Sequence, residues 1–369
     1  MGRRCLETLS RARSSPGWRP GAGVPTFEPT MVAPRARVGR AYQEILSSLS
    51  EHRVVISIVA AYVMLGGLVL ALFDRPWPMN RPSWGFLAVW VSASALWLLF
   101  RYLRHPRLFR EAVTPRRSIG AVLVVTLVGP FQVTFQSLKQ SILPLVPFRW
   151  DSVLAELDAA LHGGDAWRLV GPLIASAHWV RVVDALYMLW FLLLIVTVIW
   201  VSWTRYRALR LRTLVAILLL WIGGGTVAAA VSASAGPCYY EAITGDRRYA
   251  PLLTQLDSHV GTDGQRQLLA RRNQEAVWAA AHRGDWHRFG GVSAMPSLHV
   301  GFSVLMALVG WQVWRPVGWL LGVYAVSIQI GSVALAWHYA VDGYAGALVA
   351  YMAWLCAGMA APSRSPGAE

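Results

Sequence analysis

Lysine is all but missing from this 369-residue chain, where Lys139 stands alone. Arginine carries the positive charge instead. With abundant alanine and glycine, that composition fits a high-GC bacterial genome. Charged residues of either sign make up only 14% of the sequence, whereas a water-soluble protein carries about a quarter. The shortage excludes an ordinary soluble domain. Cysteine is scarce too, limited to Cys5, Cys238 and Cys356. Hydropathy places these three in different compartments or depths, so neither a disulfide nor a metal framework is expected. The first 40 residues lack an apolar run, so no cleavable signal peptide is expected, and Met31 offers an alternative start.

What is present is apolar. Hydrophobic residues make up 55% of the chain, with 19 Trp, and the mean hydropathy is +0.43. Eight runs are long and uncharged enough to cross a bilayer: Val54–Phe73, Trp84–Phe100, Ile119–Phe135, Val183–Trp203, Thr213–Val231, Pro296–Trp314, Gly318–Trp337 and His338–Met359. The expected fold is an all-α integral membrane protein of about eight transmembrane helices. A six-helix core over residues 118–360 holds every candidate for chemistry. Residues 53–117 supply two accessory helices and a basic loop, residues 1–52 an Arg-rich disordered tail, and residues 361–369 a second tail. Pro130 allows a kink in the third span. Asp151–Leu161 has apolar residues at 153, 154, 157 and 161, the spacing of a helix lying flat at the interface, stopped by His162-Gly163-Gly164.

The net charge of +15 is placed as in a membrane protein, not a nucleic-acid binder. Residues 1–53 hold nine Arg against four Glu, residues 101–117 six Arg against one Glu, and residues 204–212 four Arg and no acid. The loops 136–182 and 232–295 are near balance. This alternation is the positive-inside bias. It puts both termini in the cytoplasm and the two long loops outside, in a bacterial plasma membrane.

Two sequences at span starts then matter most: Ser293-Ala294-Met295-Pro296-Ser297-Leu298-His299 and Trp337-His338-Tyr339-Ala340-Val341-Asp342. His299 and His338 are 39 residues apart. A hydrocarbon core of about 30 Å takes roughly 20 helical residues, so two spans separate the histidines and return the chain to the same face. His338 and Asp342, four apart, share a helix face. A carboxylate there fixes the imidazole tautomer and leaves the other nitrogen as a nucleophile. Taken alone, the pair also reads as a hydrogen bond stapling two helices. Pro296 and Ser297 open the other helix, whose free N–H groups and dipole favour an anion, with His299 in reach as a proton donor. Taken alone, that is a helix cap and an interfacial histidine. Together they suit phosphoryl transfer through a phosphohistidine, with no metal or other cofactor required. A zinc or manganese site would need a fuller donor set than two His and one Asp.

These motifs resemble the type 2 phosphatidic acid phosphatase superfamily. Within it, Ser293–His299 and His338–Gly343 are most similar to the inositolphosphotransferase branch, which includes fungal inositol-phosphorylceramide synthase. The resemblance runs from about Phe135 to Ala360 and takes in Leu157-Asp158, His162-Gly163-Gly164 and Ser234-Ala235-Gly236-Pro237. It implies a six-helix core, His338 as nucleophile, Asp342 as its orienting partner and His299 as general acid. Two departures stand out. Ala229 and Gly236 occupy the places of a usual Lys and Arg, and Gly331 and Ser332 those of a usual Ser-Arg pair. The superfamily's phosphate-clamping cations are thus missing, which leaves Lys139, Arg247 and Arg248 as outer-face candidates beside Ser297.

The expected activity is transfer or cleavage of a phosphorylated lipid headgroup at the outer leaflet. The alternative within enzymes is a polyprenyl-phosphate or phosphatidate phosphatase. From another class comes a non-catalytic lipid-phosphate binder or transporter, which would place polar groups at the bilayer midplane. The last three spans offer only Ser303, Ser327, Gln329 and Ser332 there.

Overall fold

The computed structural model describes residues 34–79, 84–104, 106–107, 113–259, 267–283 and 291–360. The tails at 1–33 and 361–369 lie outside the described residues. Tyr42 onward forms one compact unit. The described residues are all helix, turn and loop, with no strand.

Among the described residues, six helices are long and apolar enough to cross a membrane: Arg53–Leu72, Pro115–Leu145, Ala177–Trp203, Arg207–Val231, Arg315–Ala334 and Ala340–Ala360. A seventh expected span begins later than its apolar run and is shorter, Leu298–Val313, at 16 residues. The eighth falls within the helix Trp84–Arg104, several of whose side chains lie outside the described residues. One difference lies in the Arg-rich segment expected as disordered tail, where Pro34–Glu51 is helical. The end of that helix has a reason to be ordered, because Glu51 is buried against Arg210, Arg207 and Arg116.

Helix Pro115–Leu145 runs on through Pro130. The Thr134 hydroxyl donates to the Pro130 carbonyl (2.9 Å) and accepts from the Trp77 indole (3.2 Å), which ties the loop after the first span to the core. In the Arg207–Val231 span, Leu220–Ala228 is wound as a π-helix. Gly223-Gly224-Gly225 sits at its centre, where no side chain resists the wider turn. A Cβ on Gly225 would stand 2.7 Å from Leu298 Cδ1, so the missing side chain lets the helix that carries His299 pack closely.

The helix Leu298–Val313 lies between Arg315–Ala334 and Ala340–Ala360, and the last of these packs on Arg207–Leu219. The bundle has two distinct ends. The starts of Leu298–Val313 and Ala340–Ala360 meet at one. At the other, the Arg212 guanidinium donates to the Trp354 carbonyl (3.1 Å), near the Glu51–Arg210 cluster.

The helix Asp151–His162 ends where expected, on Gly163 in the left-handed region (φ 70°). Its two faces differ. Val153, Leu157 and Leu161 are exposed, as suits a lipid-facing surface, while Leu154, Asp151 and Asp158 are buried in the protein.

Candidate active site

Ser297 is the N-cap of the His299 helix, and its hydroxyl oxygen accepts from the Val300 N–H (3.4 Å). The helix therefore starts one residue after Ser297. The hydroxyl serves its own helix end first, although its proton can still be donated. The Met295–Pro296 bond is cis. The Ser297 N–H donates to the Asp342 carbonyl (2.9 Å), which clamps the two helix starts together. Glycine makes the clamp possible. A Cβ on Gly346 would collide with the Ser297 carbonyl, and one on Gly301 would stand 2.8 Å from the Gly346 carbonyl oxygen.

His338 lies in a loop, not in the first turn of the last helix, which begins at Ala340. After Ala334 the chain reverses through Ala336 in the left-handed region (φ 60°). The Trp337 and His338 N–H groups then both donate to the Ser332 carbonyl (3.0 and 3.1 Å). A left-handed non-glycine residue is strained, and its neighbours hold it in place. The Cys238 N–H donates to the Ala336 carbonyl (2.9 Å) and the Gln274 amide to the Leu335 carbonyl (2.8 Å). Gly236, itself at φ 87°, passes so close that a Cβ there would stand 2.6 Å from the Trp337 carbonyl oxygen.

Asp342 survives this change of setting as the partner of His338. From the first turn it reaches back, as acids do in a capping box, and Oδ2 accepts from the Tyr339 N–H (3.0 Å). The same oxygen lies 3.4 Å from His338 Nδ1. The imidazoles of His299 and His338 come together, with ring centroids 6.3 Å apart. His299 is enclosed by Tyr187, stacked at 4.7 Å, and by Trp190 at 4.3 Å. The Trp190 indole N–H donates to the His299 carbonyl (3.0 Å). His299 Nε2 is buried without a protein partner among the described residues.

The candidate cations divide. Lys139 is close enough for its charge to act on His299. Arg248 pairs with Asp165 (2.7 Å) and Arg247 with Glu241 (3.3 Å). Both arginines are thus engaged in ion pairs with loop acids.

Sequence reasoning missed the layer behind the histidines. Asp151 Oδ2 accepts from the Ala235 N–H (2.9 Å), and Oδ1 from the Gly236 N–H (2.9 Å) and the Tyr339 hydroxyl (2.8 Å). Asp158 accepts from the Val341 N–H (3.0 Å). Burial pushes both carboxyls above their usual range, against the pull of these donors. The signal was available: Asp151 and Asp158 stand seven apart, on one face of a helix. Among the described residues, no three His, Cys, Asp or Glu side chains gather as metal ligands would.

Paired imidazoles backed by a carboxylate, at one end of an apolar helical bundle, define the class of membrane phosphatases and phosphotransferases. The comparison with protein families agrees: the PAP2 superfamily profile matches residues 152–356. That is more than half of the chain, and the chain belongs to this superfamily, whose members are typically metal-independent phosphatases. No curated protein and no solved structure matches the chain.

Proposed function

We propose that this protein is a lipid phosphotransferase acting on a phosphorylated headgroup at the outer leaflet through a phosphohistidine, most like an inositolphosphotransferase. The observation that carries the reading is the approach of the His299 and His338 rings to 6.3 Å with Asp342 behind His338. With the Nδ1 proton shared toward Asp342, His338 Nε2 attacks phosphorus. The bond from phosphorus to the leaving oxygen breaks, and His299 gives that oxygen its proton. An acceptor hydroxyl then attacks the phosphohistidine, losing its proton to His299 as the nitrogen–phosphorus bond breaks. Lys139 and helix-start N–H groups offset the phosphate charge, with Ser297, Arg247 and Arg248 as further substrate-binding candidates. The outer-leaflet assignment follows from the arginine-rich segments gathered at the far end of the bundle.

The test is incubation of purified protein with a headgroup-labelled phospholipid, with and without a lipid alcohol. Transfer of label to the alcohol supports the reading. Release of free phosphate or headgroup phosphate alone makes the protein a hydrolase. Turnover retained by folded His338→Gln protein overturns the assignment, and tight lipid binding without turnover points to a binder or transporter.

A further inference from the structure

We propose that the Tyr187 hydroxyl is a substrate ligand of this site, donating a hydrogen bond to a non-bridging phosphoryl oxygen between the two histidines. This deepens the proposed phosphotransfer reading and rests on it.

The argument starts from the ring. Tyr187 projects from the helix Ala177–Trp203 and is 1% exposed. It stacks on His299 with ring planes 19° apart. Its hydroxyl is buried and finds no protein partner among the described residues. Other tyrosines here are satisfied: Tyr62 bonds Thr226, Tyr239 the Gln274 carbonyl, Tyr324 the Leu186 carbonyl and Tyr339 Asp151. Tyr249 shares the lack of a partner, but its ring packs on Tyr240 and Tyr339, not on a histidine. A buried hydroxyl without a partner is a standing cost that phenylalanine would remove.

The position of the hydroxyl gives that cost a purpose. The tyrosine ring stacks on His299, whose own ring stands 6.3 Å from that of His338. Tyr187 therefore flanks the paired histidines. Gly331 leaves room for it, since a Cβ there would stand 3.3 Å from Tyr187 Cδ2. The charge inventory also calls for a neutral donor. Arg247 and Arg248 are held by acids, which leaves Lys139 as the candidate cation that acts on His299. Phosphoryl oxygens left over from that single ammonium need hydroxyl or N–H donors, and the Tyr187 hydroxyl is a donor with nothing else to bond.

The probe is orthovanadate, a phosphoryl mimic, bound to the full chain in detergent micelles and compared across wild type, Tyr187→Phe and His338→Gln. Phenylalanine keeps the stack on His299 and removes only the hydroxyl. The expected result is vanadate affinity lowered about tenfold in Tyr187→Phe, with a thermal midpoint equal to or above that of wild type. Undiminished affinity in Tyr187→Phe, with binding lost in His338→Gln, overturns the Tyr187 assignment and leaves the phosphohistidine reading standing. A lowered thermal midpoint in Tyr187→Phe also overturns it, because it marks a structural hydroxyl. Vanadate that fails to bind wild type, or binds His338→Gln equally well, sinks the phosphohistidine reading and this inference with it.

Discussion

The Tyr339 hydroxyl donates to Asp151 Oδ1 at 2.8 Å, and through that bond the start of the helix Asp151–His162 holds the residue next to His338. The same carboxylate gathers the Ala235 and Gly236 N–H groups, so it joins three separate segments at one buried point. Asp151→Asn keeps the shape but turns one oxygen into an amide that donates where acceptors are needed. It should cost about 1–3 kcal/mol, read as a lower thermal midpoint in detergent, with turnover reduced because the His338 loop loosens. Tyr339→Phe removes one donor of several and should cost about 1 kcal/mol. Equal midpoints for Asp151→Asn and wild type would deny Asp151 this role.

Two glycines in the left-handed region separate strain from contact. Gly236 has a positive φ and faces the Trp337 carbonyl, whereas Gly163 has a positive φ and open space around it. Gly163→Ala should cost about 1 kcal/mol in stability and leave turnover near wild type. Gly236→Ala pays the same strain and also pushes on the loop carrying His338, so turnover should fall by at least about tenfold. Matching losses of activity in the two variants would show that the Trp337 contact does not matter.

The two histidines should fail differently. His338→Gln removes the group that bonds phosphorus, so no acid-labile phosphoenzyme should be trapped after rapid mixing with labelled lipid. His299→Gln leaves that nucleophile in place and removes the proton relay, which slows turnover by about 10²–10⁴-fold. A phosphoenzyme in the His338 variant would reassign the nucleophile.

Most of this bundle was legible because membrane spans announce themselves by length and lack of charge, and because Pro296-Ser297 and Gly163 mark helix ends by local rules. His338 was assigned to the right end of the chain but to the wrong local setting. Its loop depends on a left-handed Ala336 held by Gln274, Cys238 and Gly236, contacts between segments far apart in sequence that no short-range pattern encodes. Asp151 and Asp158 were missed for another reason. The apolar stripe marks the helix as interfacial, but no local pattern says that its opposite, acidic face meets the segments around Gly236 and Tyr339. The aromatic enclosure of His299 was equally silent, since Tyr187 and Trp190 read as ordinary residues of an apolar span.

Glu51 gives the stability of the opposite end a pH dependence. Burial raises its pKa, but Arg210, Arg207 and Arg116 outweigh burial and hold the carboxyl below its ordinary value of 4.5. A carboxyl lowered in this way contributes stability that is fully present above the unfolded value and is lost as pH falls through the folded one. The thermal midpoint should therefore drop as pH falls below about 4.5. In Glu51→Gln the loss should be present already at pH 7, at about 3 kcal/mol for a broken buried pair, and the acid slope should flatten. An unchanged slope in that variant would place the acid sensitivity elsewhere.

The sidedness of the site can be read independently of its chemistry. Glu51, Arg116, Arg207 and Arg210 cluster together, and Arg212 meets Trp354 late in the last helix, whereas Asp342 stands at that helix's start. Opposite ends of one transmembrane helix face opposite compartments, and the proposed orientation puts the arginine-rich end in the cytoplasm. In a background without Cys5 and Cys356, a cysteine at exposed Asp246 should react with an impermeant maleimide in intact cells. A cysteine at exposed Arg205 should react only after permeabilisation. Native Cys238 stays silent in both cases, because burial pushes its thiol pKa up and suppresses the reactive thiolate. The reverse labelling pattern would move the paired histidines to the cytoplasmic leaflet, and the donor lipid would then have to be sought there.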